Sequence, residues 1–454
     1  MTPLTITLKQ HTPLIHFQHD QDGATLRASE VKPKLDRFIL TKLGENPDQD
    51  EISVIQKEWE DKEDKKENEG KNFSNLTTYE KGILIAKYRD WLIGEGEHPA
   101  LNYKMRIIDS DNRNLNEREG EVVIIPPNKE KTLISNDIKL YIIASQEPLR
   151  DYIEQHIEDF FIYNSFGKRN NKGFGNFYVC DEKNPITWEK LKQKLPTGTF
   201  IYENFIRRRI ENKSFSKEYK FISDVQRKLK SGINYRDKAG NTTYIKSKLF
   251  VYSINQQMRW EKRWIKKQIK ELVRQTKLPS PLKYNKPPND YCNNLDINTN
   301  NGNCSYNNWN DNNTFQDNYF FIRILLGLPE HWEFLTNDDN VRYKVIPEND
   351  YINRFKSPLI FKVFKNNIYL LIDELPQDFS IYPFKFKVKI KRKKEKENGK
   401  KEWEDDKELI YFQDNEEKEL TLYPPKIDDN YNLHDFISNS IQSLNFKRIE
   451  HGRQ

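Results

Sequence analysis

The chain has 454 residues, of which 32% are charged and 13% aromatic, and a mean hydropathy of −0.93, so it is long enough for two or three domains and aromatic enough to fill their cores. No apolar run approaches the roughly 20 residues that span a bilayer, and the start does not resemble a secretion signal. The three cysteines, Cys180, Cys292 and Cys304, form no disulfide framework. We therefore expect a protein of the reducing cytoplasm. The net charge of +6 hides a segment, residues 207–286, with 23 Lys and Arg against 6 Asp and Glu. Such a density attracts polyanions, although it is also typical of a lysine-rich solvated surface.

The first 195 residues predict one domain that alternates strands and helices. Leu4–Leu8 alternates like a strand, and we expect Pro33 to open the first helix, where its missing N–H is harmless. Residues 45–75 are acidic and poor in apolar residues, so we expect them to form an insertion outside the core. Further helices are expected at Thr78–Ile93 and Asp151–Tyr163, and strands at Asn102–Ile108, Glu121–Ile125, Ile138–Ser145 and Phe177–Cys180. The resulting βαββαβ order is that of a ferredoxin-like α+β domain.

The segment Ser165–Phe177, SFGKRNNKGFGNF, has the composition of an RNA-binding loop. Its three glycines allow positive φ angles and close approach of a partner to the backbone, and the cations and N–H groups between them suit a run of phosphate oxygens. A basic glycine-rich turn can also be a plain hairpin connection. The residues expected to bind RNA from this Gly-rich loop are Lys168, Arg169, Asn171, Lys172 and Gly173. Near the expected start of the first helix, Lys32, Lys34 and Arg37 would hold further phosphates.

The segment Asn255–Pro279 predicts an amphipathic basic helix. The residues at helical spacing that would face a core are Met258, Ile265, Ile269, Leu272 and Thr276. The basic side, which we expect to extend the RNA contacts, consists of Arg259, Arg263, Lys266, Lys270 and Arg274. Trp260 and Trp264 lie beside it and suit stacking on bases, although tryptophan is more commonly a core residue and a membrane-surface helix shares the pattern.

The second half is expected to contain a basic helical region at 196–284, an exposed or disordered loop at 285–318 and a second domain at 319–454. The loop assignment rests on 14 asparagines, which cannot build a core. The elements expected beyond the loop are a short buried helix in Asn318–Trp332, strands at Leu359–Phe364, Ile368–Ile372 and Phe384–Ile390, a solvated hairpin tip at Lys391–Glu408 and a helix at Leu433–Leu444. The whole would then be an α+β chain of tandem ferredoxin-like domains with a basic Gly-rich loop and polar insertions.

Three segments together resemble a known family. The matching residues near the N-terminus are Thr12, Pro13, Leu26, Arg27, Ser29 and Lys32, which form a Thr-Pro turn and the entry into the first helix. The others are Lys168, Arg169 and Lys172–Gly175 of the Gly-rich loop, the last with the letters KGFG, and Arg354–Phe364, with the letters RFKSPLIFKVF. In this order they resemble the RAMP superfamily of CRISPR effector subunits, and within it the first subunit of the type III-B Cmr complex.

The resemblance implies an RNA-binding, non-catalytic subunit of an antiviral ribonucleoprotein. It would contact the guide RNA (crRNA) towards its 3′ end and help to capture target RNA, and Arg27 and Ser29 would join the RNA-binding residues. The implied partners are other RAMP subunits and the small helical subunits of the same complex. No membrane, small-molecule substrate, cofactor or metal is expected.

Two other functions stay open. Metal-independent RNA-cleaving members of the superfamily use histidine as acid or base, and His11, His16 and His19 share one loop here. An imidazole with a pKa of about 6.5 can take the proton of a 2′-hydroxyl. A metal site in this loop would need a fourth ligand. The third hypothesis is a protein-only scaffold whose basic patch balances acidic neighbours.

Overall fold

The computed structural model describes most of the chain. The described residues are 2–16, 25–63, 72–94, 99–109, 122–125, 130–135, 138–180, 185–203, 216–236, 242–256, 258–274, 278–281, 319–349, 356–375, 381–395, 401–409, 412–413, 416–417, 420–425 and 432–450. They belong to two compact units, the first formed by Met1–Lys220, Phe361–Leu370 and Ile449–Gln454, and the second by Phe221–Ile360 and Leu371–Arg448. Helices and several antiparallel sheets occur together, so the fold is α+β, as the sequence predicted. The Asn-rich segment expected to be a loop, 285–318, lies outside the described residues.

The helices are α1 (Ala28–Glu45), α2 (Gln49–Glu63), α3 (Thr78–Tyr88), α4 (Glu147–Tyr163), α5 (Trp188–Lys194), α6 (Ser216–Gln226), α7 (Lys248–Asn255), α8 (Glu261–Arg274) and α9 (Leu433–Ile441). The strands are β1 (Leu4–Gln10), β2 (Leu92–Ile93), β3 (Ala100–Leu101), β4 (Tyr103–Asp109), β5 (Val122–Ile125), β6 (Glu130–Leu133), β7 (Ile138–Ala144), β8 (Phe177–Val179), β9 (Phe200–Tyr202), β10 (Ile233–Arg236), β11 (Thr242–Ile245), β12 (Arg259–Trp260), β13 (Tyr319–Phe320), β14 (Trp332–Leu335), β15 (Val341–Glu348), β16 (Leu359–Phe364), β17 (Asn367–Ile372), β18 (Phe384–Glu395), β19 (Lys401–Leu409), β20 (Phe412–Gln413), β21 (Glu416–Glu417), β22 (Thr421–Leu422) and β23 (Lys447–Arg448). None of the helices described is both long and apolar enough to cross a lipid bilayer.

The first unit is built on a four-stranded antiparallel sheet in the order β4, β7, β1, β8. With α2, α3 and the short hairpins set aside, its principal elements follow one another as β1, α1, β4, β7, α4 and β8. Ile6, Leu8 and Leu140 of the sheet are buried in one core with Leu35 and Ile39 of α1. Because strand residues point alternately to the two faces, this packing leaves a second, opposite face to the same sheet.

Helix α1 begins at Ala28, so the prediction that Pro33 opens it was wrong. The backbone carbonyl of Arg27 accepts hydrogen bonds from the N–H groups of Glu30 and Val31, both at 3.1 Å. Val31 is fully buried, which extends the apolar stripe by one turn towards the N-terminus. Pro33 is exposed within the helix, where it removes one backbone hydrogen bond, and the packing of Val31 outweighs that loss.

The acidic insertion contains helix α2, which the sequence reading missed. Ile55 is buried, and Ile52 and Trp59 pack against the same core at helical spacing. Three apolar residues separated by charged ones give a weak periodic signal, which explains the error. Residues 64–71 of the insertion lie outside the described residues. Helix α3 also differs, because it ends at Tyr88, and Leu92–Ile93, expected to be its last residues, form β2, paired with β3.

A hairpin from the second half of the sequence belongs to the first unit. β16 and β17 form this hairpin, as predicted, and residues Phe361–Leu370 lie in the first unit. β17 pairs antiparallel with β9, with Tyr369 opposite Ile201. The chain turns at Lys365, whose φ is 54°. Phe361–Phe364 is fully buried along its whole length, so the hairpin is an integral part of this unit.

The second unit contains an antiparallel sheet in the order β14, β15, β18, β19, with β22 also paired to β18. Much of Lys391–Glu408, expected to be a solvated tip, is paired strand instead. Opposite charges support this pairing, because Arg392 of β18 binds Asp406 of β19 at 2.7 Å and Lys394 binds Glu404 at 3.4 Å.

The buried helix expected in Asn318–Trp332 is shorter than predicted. Tyr319–Phe320 is strand β13, and only Ile322–Leu326 is helical, as a 3₁₀ turn. Gly327 ends this turn with a φ of 100°. Within the turn, the guanidinium of Arg323 donates to the buried carboxylate of Glu261. This ion pair allows a charged residue to be buried in an otherwise apolar segment.

Candidate nucleic-acid interface

The Gly-rich loop requires its glycines. Gly167, Gly173 and Gly175 have φ angles of 73°, 85° and 64°, in the region that favours glycine. A Cβ atom on Gly175 would lie 2.0 Å from the carbonyl oxygen of Phe166, and one on Gly167 would lie 2.4 Å from that of Ile15. Larger residues would therefore force the backbone apart at both positions.

The loop is fixed to the Thr-Pro turn by backbone hydrogen bonds. The N–H of Lys168 donates to the carbonyl oxygen of Ile15 at 2.7 Å, and the N–H of Gly175 donates to that of Pro13 at 2.8 Å. The expectation of bare N–H groups for phosphate is wrong for these two, because their acceptors are in the protein. An anion at this loop would meet chiefly side chains.

Three cationic side chains extend from this fixed backbone. Lys168, Arg169 and Lys172 are each half-buried. The guanidinium of Arg169 lies 5.9 Å from the ring centre of Tyr219, which packs edge-on against the buried Phe174 at 5.2 Å. Lys168 and Lys172 form no ion pair or side-chain hydrogen bond within the described part of the chain. Their ammonium groups are therefore open to an anionic ligand.

Helix α1 holds the beginning of the Gly-rich loop. The ammonium of Lys34 donates to the carbonyl oxygen of Ser165 at 2.9 Å and lies 4.8 Å from the ring centre of Phe166. One turn earlier, the carboxylate of Glu30 accepts the N–H of Gly167 at 2.5 Å. The structure thus brings Lys34 to the loop, as a residue that supports it.

Lys32 is directed to the protein interior instead. Its ammonium donates to Asp36 at 2.8 Å and to the carbonyl oxygen of Leu101 at 3.1 Å, and it lies 4.1 Å from the ring centre of Tyr103. Burial raises the pKa of Asp36, and the bond from Lys32 opposes that rise. These contacts give Lys32 a structural role.

The other residues predicted at this helix do not form a cluster with the loop. Arg27 is half-buried just before α1, and Ser29 and Arg37 are exposed. The guanidinium of Arg37 lies 5.4 Å from the ring centre of Tyr79, on α3. Only Lys34 of the predicted helix residues therefore contacts the Gly-rich loop among the described contacts.

Lys362, which sequence reasoning missed, caps the helix that leads into the loop. Its ammonium is fully buried and donates to the carbonyl oxygens of Phe161, Ile162 and Asn164 at 2.7, 2.8 and 2.7 Å. These are carbonyl groups at the C-terminal end of α4, where the helix dipole favours a cation. Burial lowers the pKa of Lys362 well below its ordinary value. A single lysine within the apolar strand LIFKVF was the signal that could have revealed it.

The hairpin also contacts the loop and the end of α4 directly. The N–H of Phe361 donates to the carbonyl oxygen of Asn171 at 3.2 Å. The hydroxyl of Tyr369 donates to the carbonyl oxygen of Ile162 at 2.8 Å and lies 3.1 Å from the hydroxyl of Tyr178. The Gly-rich loop is therefore supported on three sides, by α1, by the Thr-Pro turn and by this hairpin.

The basic helix of the second unit is shorter than expected. Helix α8 begins at Glu261, so Arg259 lies before it, in β12, and Ile265, Ile269 and Val273 form its buried side. Thr276, expected on that side, lies outside the described residues, and Leu272 is half-buried. Among the predicted cations, Arg263 and Arg274 are exposed, and Lys266 and Lys270 are half-buried. Arg274 pairs with Glu271 at 2.8 Å.

Cations crowd one another on α8. Burial lowers the pKa of Lys266 to about 8, and the neighbouring Lys270 and Lys246 lower it further in the same direction. The pKa of Lys262 is also about 8, because of burial and then of Arg323. An anion bound here would relieve this repulsion.

Two family models together match most of the chain. A family model described as the Cmr1 N-terminal domain matches residues 1–233, and one described as the Cmr1 C-terminal domain matches residues 244–452. The chain belongs to the Cmr1 family. It is a Cmr1-like subunit of the type III-B CRISPR effector, the Cmr complex, and the resemblance seen in the sequence is confirmed. No curated protein and no solved structure matched the chain.

The histidines of this Cmr1 family subunit differ in environment. The ring of His11 stacks on Phe364 at 5.1 Å and meets Tyr178 edge-on at 4.7 Å. Burial, and to a smaller extent Lys9, lower the pKa of His11 to about 3, so it is neutral at pH 7. A ring nitrogen of His16 lies 2.9 Å from the carbonyl oxygen of Thr25. His19 lies outside the described residues.

Proposed function

We propose that this Cmr1 family subunit binds RNA without cleaving it, contacts the guide RNA towards its 3′ end and helps to capture target RNA. The observation that carries the proposal is the fixed Gly-rich loop with Lys168, Arg169 and Lys172 half-exposed on it. Because hydrogen bonds to Pro13 and Ile15 already order the loop, little conformational entropy is lost when it binds a ligand.

Phosphates are the part of RNA that these side chains suit. Lysine is a point charge without a base-reading geometry, so contacts from Lys168 and Lys172 would position a strand without selecting its sequence. A subunit that holds guides of different sequence needs contacts of this kind. Catalysis by His11 is disfavoured, because a group with a pKa of about 3 is a poor proton acceptor at pH 7.

The proposal includes architecture and partners. We propose tandem ferredoxin-like domains, with the boundaries near 195, 284 and 318, and the βαββαβ order of the first unit supports the first of the two. The exposed or half-buried Arg263, Lys266 and Lys270 would provide further RNA contacts from α8. Direct protein partners would be other RAMP subunits and the small helical subunits of the complex.

The test is the salt dependence of RNA binding by the full chain. Lys168→Gln with Lys172→Gln removes two cations that have no described partner, so the fold should be kept. We expect weaker binding to all RNA sequences and a slope of log K against log salt reduced by about 1.4, at about 0.7 per phosphate. Fluorescence anisotropy with labelled single-stranded RNAs of different sequence measures the affinity and its salt dependence.

The matched control is Lys57→Gln with Lys87→Gln. Both lysines are exposed in the same unit and removal changes the net charge equally. If both double variants lower the salt slope equally, the effect is one of general charge. If the loop variant leaves the salt slope unchanged, the loop is not part of the RNA interface. The RNA recovered from each reaction in EDTA should be intact, and cleavage lost in His16→Ala would favour a nuclease instead.

A further inference from the structure

The second face of the four-stranded sheet in the first unit carries its own pattern. Three cross-strand rows cover this open face, Lys104 with Ile143, then Arg106 with Tyr141 and Thr5, then Ile108 with Lys139 and Thr7. Residues directly opposite each other in a sheet share one face, with Cβ atoms about 5 Å apart. The alternate residues Ile6, Leu140 and Ile142 are buried in the core, which fixes these rows on the other side.

The open face is basic and accessible. Lys104, Arg106 and Lys9 are exposed, and Lys139 is half-buried. None of the four forms an ion pair within the part of the chain that the structure describes. No Asp or Glu occupies a position of β1, β4 or β7 on this face. Among the described residues of these strands the cations on this face are not balanced by carboxylates, and such a positive field attracts an anionic partner.

An aromatic and an aliphatic side chain lie among these cations. Tyr141 is half-buried in the middle row, and Ile143 is 44% exposed in the next row. At the β8 edge of the sheet the same face is covered. Tyr178 of β8 lies opposite Lys9 and is buried beneath Phe364, with the two ring centres 4.9 Å apart. Lys365 of that hairpin is exposed and adds a cation at this border. The hairpin thus bounds the open face on one side.

We propose that the open face, formed by Lys9, Lys104, Arg106, Lys139, Tyr141 and Ile143, is a second RNA-binding surface, on which a single strand lays its phosphates on the cations and stacks a base on Tyr141. Aromatic rings on a sheet are a general platform for unpaired bases, and adjacent cations hold the backbone. The inference rests on the RNA-binding function proposed above and adds to it a surface that reads unpaired bases.

RNA is the occupant that this chemistry favours over an acidic protein segment. A polyanion matches the four cations of this face, and a flat base matches the half-exposed ring between Arg106 and Thr5. The rows from Lys104 to Lys9 extend over about 20 Å, at about 3.3 Å per residue, which suits an extended strand. Duplex RNA offers no free base faces for Tyr141, so single strands should bind better than duplexes of equal length.

The experiment uses the full chain and labelled single-stranded oligouridine, with anisotropy measured over a series of KCl concentrations. Arg106→Gln with Lys139→Gln should lower the salt slope by about 1.4. Tyr141→Ala should weaken binding about tenfold with the slope unchanged, and Tyr141→Phe, which keeps the ring, should bind within about twofold of the unaltered protein. Lys57→Gln with Lys87→Gln again serves as the matched charge control.

A second readout needs no variant. RNA carrying a photoreactive uridine should crosslink to peptides of β4 and β7 in the unaltered protein. If the loop variant weakens binding while the face variants bind normally and no adduct maps to these strands, this inference fails and the proposed function stands. If the full chain binds no RNA, both fail. If Arg106→Gln with Lys139→Gln instead releases another subunit from the assembled complex with the RNA slope unchanged, the face is a protein-docking surface and the inference is overturned.

Discussion

Replacing Lys362 by Met tests whether the hairpin holds the Gly-rich loop in place. Met keeps the length of the side chain and removes all of its donors, so the carbonyl oxygens of Phe161, Ile162 and Asn164 lose the ammonium. Ile162 keeps the hydroxyl of Tyr369 at 2.8 Å. Two acceptors therefore lose a partner, one at the buried Phe161 and one at the part-buried Asn164.

The expected magnitude follows from those two acceptors. A buried polar group without a partner costs about 1–3 kcal/mol, so the loss is about 2–6 kcal/mol. Removing a buried ammonium returns part of its desolvation cost, which leaves about 3 kcal/mol as the expected destabilisation. In a unit of this size, about 3 kcal/mol lowers the melting midpoint by roughly 6–12 °C.

The assay combines thermal unfolding with amide hydrogen exchange. In Lys362→Met we expect faster exchange in the peptides that cover Ser165–Phe177, because the end of α4 and the loop share this support, and weaker RNA binding as a consequence. The control for melting and hydrogen exchange is Lys365→Met, in the exposed turn of the same hairpin. A Lys362→Met protein that melts within about 2 °C of the unaltered one, with the same exchange in the loop, would refute the reasoning.

Two further predictions concern His11 and Arg169. Burial lowers the pKa of His11 to about 3 in the folded protein. As the pH falls below about 6.5, the unfolded chain therefore binds a proton at His11 that the folded protein does not. The free energy of unfolding should fall by about 2 kcal/mol between pH 7 and pH 5 because of this residue. Urea unfolding of His11→Phe should lack that part of the pH dependence, and identical curves for the two proteins would contradict it. Arg169 has a φ of 57°, so Arg169→Gly should be about 1 kcal/mol more stable than Arg169→Ala. Both variants should bind RNA more weakly than the unaltered protein. Equal stability of the two variants would show that the backbone at Arg169 is not strained.

Much of the first unit could be predicted because its signals are local. The spacing of Leu35, Ile39 and Leu43 gave the buried side of α1, and the alternation of Ile138–Ala144 gave β7. The positive φ angles of the loop glycines were also predictable, since glycine adopts positive φ at little steric cost. The start of α1 was not, because Pro33 is a local signal that the burial of Val31 overrides.

The environment of the candidate site depended on contacts that sequence reasoning cannot see. Lys362 binds the carbonyl oxygen of Phe161, 201 positions earlier in the chain. The N–H groups of Lys168 and Gly175 were expected to be bare, yet their acceptors are brought to the loop by the Thr-Pro turn. Lys32 carried the same charge signal as Lys34, and only tertiary structure separates a residue that binds Asp36 from one at the loop.

Crosslinking the assembled Cmr complex to its own guide RNA tests the central claim most directly. With photoreactive nucleotides along the guide and mass spectrometry of the peptides, adducts from the 3′ part of the guide should map to the Ser165–Phe177 loop of this subunit. Efficient adducts from the same nucleotides to other surfaces of the complex, with none in the loop, would contradict the claim that the Gly-rich loop binds RNA.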